Sequence, residues 1–273
     1  MRILALIAVG LVCFVLPATA AGPLGGKAVS APDLSLWNGP YAGFVSGLEL
    51  ASSTATSAVG CVDGAYLCDK GLHGGYQANG ALIGATASGK ATSLSPGVGA
   101  VVGQNWRSGD WVGGIEGSLS LAPISLTNGG SAPSINVGLL GTTFSVSETA
   151  SANWLATFAG RAGYVVAPNV LLYGTAGLAL TDLKVSNLYT DTLNQGGYGA
   201  SAASALEAGF VIGAGADLAM SNGWLLRAEY LYVAFPSLKT SGGISIDDAV
   251  PNPFSSAADL SAQIVRAGLL HQF

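Results

Sequence analysis

The chain has 273 residues, half of them hydrophobic and only 9% charged, with 40 glycines and a formal net charge of −5. The scattered lysines form no basic cluster, which argues against an electrostatic footprint for nucleic acid. Transmembrane helices need roughly 18–20 uninterrupted apolar residues. Beyond the amino terminus no such run occurs, and segments such as Ala208–Ala216 are bounded by Glu207 and Asp217. No composition shift or charged linker divides the chain, so a single domain is expected.

Met1–Ala20 reads as a cleaved secretory signal. Arg2 precedes the apolar run Ile3–Leu16, and Ala18-Thr19-Ala20 supplies a small-residue cleavage site. Cys13 lies within it, which leaves Cys61 and Cys68 as an even pair in an exported protein, where disulfides persist. Residues 21–37 read as a short periplasmic lead, followed by the barrel domain over residues 38–273.

From Tyr41 the pattern has period two, the signature of strands whose successive side chains face opposite ways. Tyr41–Leu50 sets Ala42, Phe44, Ser46, Leu48 and Leu50 against Gly43, Val45, Gly47 and Glu49. Val98–Trp106 follows, then the turn Arg107-Ser108-Gly109-Asp110 and the returning strand Trp111–Leu121, which places Glu116, Ser118 and Ser120 on its inner face. Trp154–Val166 turns at Ala167-Pro168-Asn169 into Val170–Thr181. Leu206–Met220 turns at Ser221-Asn222-Gly223 into Trp224–Phe235, which exposes Leu226, Ala228, Tyr230 and Tyr232. The last strand, Gln263–Phe273, carries Val265, Ala267, Leu269, His271 and Phe273 on one face and ends on an aromatic residue. An unpaired backbone group in hydrocarbon costs several kcal/mol, so this strand is expected to close a barrel by pairing with the first.

These eight strands predict an all-β fold: an antiparallel transmembrane β-barrel with short periplasmic turns and four long extracellular loops. The loops fall near Ala51–Pro96, Ala122–Asn153, Asp182–Ala205 and Pro236–Ala262. Short turns at one end and long connections at the other are the outer-membrane pattern. A soluble lipocalin-like barrel shares the strand number, but it would not carry an apolar outward face on every strand.

Trp106, Trp111, Tyr164, Trp224 and Phe273 cluster near the short-turn end, as an interfacial aromatic girdle would. Glu116, Arg161, Glu207, Asp217, Arg227, Glu229 and Arg266 all fall in the inner-face register. A charge on the lipid face costs roughly 2–4 kcal/mol at the midplane, so an inward network of salt bridges filling a narrow barrel is expected. Acid/base chemistry or a gated channel is the competing reading of the same residues. Cys61 and Cys68, separated by six residues in the first long connection, are expected to form a loop-stapling disulfide. A metal or haem site using Cys61, Cys68 and His73 has too few ligands and too uneven a spacing to convince. His271 reads as a belt residue. No nucleophile elbow, zincin or Walker motif occurs, so neither an enzyme nor a resident cofactor is expected.

Several segments come in a familiar order. They are Trp37-Asn38-Gly39-Pro40-Tyr41-Ala42-Gly43, Gly103-Gln104-Asn105-Trp106, Gly160-Arg161-Ala162-Gly163-Tyr164, Leu172–Ala179, Trp224-Leu225-Leu226-Arg227-Ala228-Glu229-Tyr230-Leu231-Tyr232 and Val265–Phe273. With them the chain resembles the small outer-membrane barrels of alphaproteobacteria, the Omp25/Omp31-like "porin family" proteins. The resemblance covers the strands and not the long connections. It implies insertion by the outer-membrane assembly machinery, which reads the terminal aromatic strand and hence Phe273. It also implies outer-membrane lipids and lipopolysaccharide as surroundings. Members of this family are described as envelope-integrity proteins, as surface antigens and, in some branches, as haemin binders. An envelope-structural or surface-interaction role follows as the expectation, with a narrow channel for ions or small solutes and a haemin- or host-binding receptor as alternatives.

Overall fold

The computed structural model describes residues 36–62, 65, 67, 77–133, 143–192, 196–245 and 250–273. The expected signal, the lead up to residue 35, Cys68 and His73 lie outside the described residues. The elements are β1 (Gly39–Val59), α1 (Gln77–Ala87), β2 (Gly89–Ser108), β3 (Trp111–Pro133), β4 (Thr143–Ala167), β5 (Val170–Asp191), β6 (Tyr198–Ala219), β7 (Trp224–Ile244) and β8 (Asn252–Gln272). Each strand pairs antiparallel with its sequence neighbours, and β8 returns to β1 to close the ring. The closing register runs from Tyr41 opposite Gln272 to Val59 opposite Phe254. The Phe273 amide donates to the Pro40 carbonyl at 2.9 Å. Around the lower half closure leaves no strand edge, the condition for spanning hydrocarbon with strands. Higher up, the β2–β3 ladder stops at Val98/Leu121 and the β6–β7 ladder at Phe210/Ala234, with a single bridge between Tyr198 and Ser245 beyond it. Among the described residues no helix is long and apolar enough to cross a membrane.

Three hairpins at one end are tight. Gly109 takes φ +62° between Ser108 and Trp111, the left-handed backbone that two-residue hairpins favour. Pro168-Asn169 joins β4 to β5. Asn222 and Gly223, at φ +59° and +76°, turn β6 into β7.

The opposite end differs from the sequence reading. Three of the four stretches expected to be long loops are mostly strand, and the first, Ala51–Pro96, is strand at both its ends with α1 between them. Strands of 20 to 25 residues replace the expected lengths of about half that. At roughly 3.3 Å per residue and a tilt near 40°, 21 residues climb roughly 50 Å, about twice the height of an outer-membrane apolar band.

Two physical features hide these extensions in the sequence. Their outward positions are mostly polar or small, as in Ser125, Thr127, Gly129 and Ser131 on β3 or Ser145, Ser147, Thr149 and Ser151 on β4, so the alternation lacks apolar contrast. Register shifts at Leu121/Ile124, Ser151/Leu155 and Phe235/Leu238 also break the parity. A bulge moves the inward set from odd to even positions. On β4 the buried positions change from Leu155, Ala159 and Arg161 below the shift to Phe144, Val146, Glu148, Ala150 and Ala152 above it.

Below the shifts the outer wall is apolar. Phe44, Val102, Leu119, Phe158, Leu178, Phe210, Ile212 and Val265 are all more than half exposed. Trp106, Trp111, Tyr164, Trp224 and Phe273 face outward around the short-turn rim. Trp111 meets Tyr164 edge-on at 5.3 Å, while His271 lies between Trp224 at 5.2 Å and Phe273 at 4.9 Å. Amphipathic rings at this level suit the membrane–water boundary.

Candidate functional site: the barrel lumen

The lumen is filled in layers. At the short-turn end Trp37, the last residue of the expected lead, is fully buried beneath the barrel with Tyr41, Leu171, Leu225 and Leu270. Its amide donates to the Gln272 side chain at 3.2 Å.

Immediately above lies a network of three arginines and three carboxylates, contributed by β3, β4, β6, β7 and β8. Arg227 is wholly buried and grips Asp217 with two bonds, Nε to Oδ1 at 2.8 Å and Nη2 to Oδ2 at 2.9 Å, while its Nη1 binds Glu116. Arg161 binds Asp217 at 2.8 Å, reaches Glu116 at 3.5 Å and stacks 3.7 Å over the Tyr173 ring. Arg266 pairs with Glu229 at 2.6 Å and approaches Glu116 at 3.5 Å. Two tyrosines complete the network. The Tyr41 hydroxyl donates to Glu116 at 2.6 Å and accepts from Arg161 at 2.8 Å; the Tyr173 hydroxyl donates to Glu229 at 2.9 Å.

The charges cancel, and the forked guanidiniums meet carboxylates through directed bonds, the arrangement that offsets the desolvation of buried ions. Inward glycines create the space. A side chain at Gly103 would strike the Tyr41 ring, and one at Gly215 would strike the Tyr173 hydroxyl. Residues at i and i+2 on facing strands can converge this way because all share the inward parity.

Above the ions the lumen turns apolar, with Leu155, Ala159, Ala179, Leu183, Val185, Leu231, Val233, Leu260 and Ile264 in one buried cluster. Near the outer mouth, α1 packs against the inner wall of β1. A Cβ on Gly84 would sit 2.9 Å from the Ser57 carbonyl, and one on Gly80 3.3 Å from that of Val59. Ile83 and Ala87 of α1 join Ala65, Leu67, Phe144, Val146, Tyr189, Ile244 and Phe254 in a second apolar cluster near the outer mouth. This helix lies within the first expected loop, and its Gln-Ala-Asn-Gly-Ala-Leu-Ile-Gly-Ala-Thr-Ala run carries no amphipathic pattern to mark it.

Of the seven charged residues assigned to the lumen from the sequence, the structure brings six together. Glu207 shares the inward parity but sits higher, opposite Thr181, and joins none of the ion pairs. Tyr41 and Tyr173 were missed because a phenol carries no charge, although both occupy inward positions at network height. Glu49 and Glu148 are further buried acids. Cys61 is disulfide-bonded; Cys68 lies outside the described residues, as does His73 of the alternative metal site.

A closed antiparallel ring with an apolar outer band, an aromatic rim and an ion-filled lumen defines an outer-membrane β-barrel. The chain belongs to the family described as "Outer membrane protein beta-barrel domain", whose model matches residues 19–273, and its location is the cell outer membrane. It is similar to a 22 kDa outer membrane protein of Rhizobium leguminosarum bv. viciae, at 31% identity over 135 residues, half of each chain. It is also similar to a 31 kDa outer-membrane immunogenic protein of Brucella melitensis, at 38% identity over 87 residues, covering 29% of this chain and 32% of that one. The chain thus spans half or less of the length of these curated relatives. Among solved structures, OprG from Pseudomonas aeruginosa aligns over 86% of this chain and 96% of its own at 13% identity, with a TM-score of 0.44.

Proposed function

We propose that this barrel is a closed, envelope-structural protein that presents its extended outer wall to the exterior, rather than a channel or an enzyme. One observation carries the reading: the described lumen is occupied from the Trp37 base, through the ion network and the apolar cluster, to the α1 plug. An eight-stranded interior is just wide enough to be filled by side chains, and here it is. Each carboxylate of the network is held by at least one guanidinium, which leaves none of them poised for acid/base work.

The upper strands supply a Ser/Thr-rich wall standing above the apolar band, where lipopolysaccharide and external molecules would meet it. The Brucella relative's name, an immunogenic protein, fits a surface-exposed role of this kind. Lipids and lipopolysaccharide are its surroundings in this reading, with the assembly machinery as its route of insertion. Planar-bilayer recording tests the proposal: the folded protein should add no steady unit conductance. Reproducible channels whose size changes on Arg227→Met would instead establish the narrow-pore alternative.

A further inference from the structure

Between the two apolar clusters lies a polar layer built from almost every strand. Asn128 of β3 stands opposite Glu148 of β4, Glu148 opposite Asn187 of β5, and Asn187 opposite Ser201 of β6. Thr240 of β7 stands opposite Ser256 of β8, and Ser256 opposite Ser57 of β1. Ser88, just before β2, bonds the Ser57 amide at 2.9 Å. Below this ring are Leu126, Ala150, Val185 and Ala258; above it are Val146, Tyr189, Ile244 and Phe254.

The ring holds one ionisable carboxyl with no cationic partner. Glu148 is 1% exposed, and among the described residues no lysine or arginine faces it, since Lys90, Lys184 and Lys239 all point outward. Its Oε2 accepts only a long 3.3 Å bond from Ser57, whose hydroxyl also lies 2.9 Å from that of Ser256. Its Oε1 has no partner. Asn187, 4% exposed, directs its amide nitrogen to Thr240 at 2.7 Å and to Ser201 at 3.4 Å, which leaves its Oδ1 without a partner as well. Side chains directly opposite on paired strands have Cβ atoms about 4.5–5.5 Å apart. Two buried, unpartnered acceptors therefore face one lumen layer with no donor assigned to either. The lower network, by contrast, matches three carboxylates to three guanidiniums.

We propose that this ring seats one hard, oxygen-preferring cation, with Glu148 and Asn187 as its principal ligands and the Ser57, Thr240 and Ser256 hydroxyls beside them. Among the described residues no cluster of three or more His, Cys, Asp and Glu exists. The ligand set is one carboxylate with neutral oxygens, which suits calcium or sodium and not zinc. Calcium takes 6–8 oxygens in flexible geometry, and sites with little charge bind it at roughly 10⁻⁴–10⁻³ M. The α1 plug covers the ring, so the ion enters as the barrel folds.

The test uses the full chain refolded into detergent micelles in the presence of Tb³⁺, a luminescent stand-in for calcium excited through Tyr189 in the layer above. The expected result is one saturable signal, displaced when the protein is refolded with excess Ca²⁺ or Na⁺; whichever competes at the lower concentration identifies the natural class. Glu148→Gln should weaken Tb³⁺ at least about tenfold, Asn187→Ala should weaken it severalfold, and Asp259→Asn on the outer wall should leave it unchanged. Heat-dependent gel mobility confirms that each variant is folded. If Glu148→Gln does not fold, Glu148→Asp must retain a weakened site. A signal absent from the wild type, or equal in Glu148→Gln, overturns the proposal.

Discussion

Replacing Arg227 with Met probes whether the lumen network is dry. The side chain is wholly buried and donates two bonds to Asp217 and one to Glu116. Its removal leaves Asp217, itself fully buried, with Arg161 alone, while Glu116 keeps only 3.5 Å approaches from Arg161 and Arg266 and the Tyr41 hydroxyl. Removing one partner of a buried pair costs about 3–5 kcal/mol, because the remaining charge is stranded. With a urea dependence of about 3 kcal/mol per molar or more for a chain of this size, the unfolding midpoint in lipid vesicles should fall by about 1 M. Arg227→Met combined with Asp217→Leu should recover at least about 1 kcal/mol of that loss, since the stranded charge goes too. A single-variant loss below about 1 kcal/mol, with additive effects in the double variant, would refute the reasoning. Water would then be solvating the network.

Other perturbations address other layers. Gly103→Val drives a side chain into the Tyr41 ring and should cost about 1–3 kcal/mol by overpacking, read from the same urea midpoint. Phe158→Arg, at mid-height on the lipid face, should cost roughly 2–4 kcal/mol, whereas Thr127→Lys on the wall above should stay within about 0.5 kcal/mol; comparing the two locates the membrane boundary. Burial pushes the Glu148 carboxyl up to about 7, against a weak lowering by the Ser57 hydroxyl. Its folded state therefore binds the proton more tightly than the unfolded chain. Stability should be highest below about pH 4.5 for this group and decline as pH rises toward 7, by at most about 3 kcal/mol. In chelated, sodium-free buffer, Glu148→Gln should remove that decline from the urea midpoint, and an unchanged slope would contradict it.

The ring's lower half was legible because its chemistry is polarised. Phe158 against Arg161, or Leu226 against Arg227, states which face is lipid and which is lumen, and a period of two does the rest. The upper half was not legible. Ser145, Ser147 and Thr149 oppose Val146, Glu148 and Ala150, a contrast too weak to mark a strand, and the bulge near Trp154 reverses the parity just where the apolar band stops. Glu148 consequently falls in a stretch whose pattern predicts a loop. The plug was hidden for a different reason: α1 contains Gly80 and Gly84, poor helix formers that its close approach to β1 requires. The six-member ion network needed only parity, yet its two tyrosines needed the three-dimensional register.

The most direct test of a closed lumen is thiol accessibility at its centre. Ala179 and Ala258 are fully buried in the apolar cluster above the ions. Each is replaced singly by Cys in a chain lacking its other cysteines, folded into vesicles and exposed to a small charged thiol reagent. A closed barrel predicts that both stay unmodified until urea unfolds the protein, while Ser147→Cys on the outer wall reacts at once. Modification of Ala179→Cys in the folded protein at the rate of the wall site would show a water-filled passage and contradict the account.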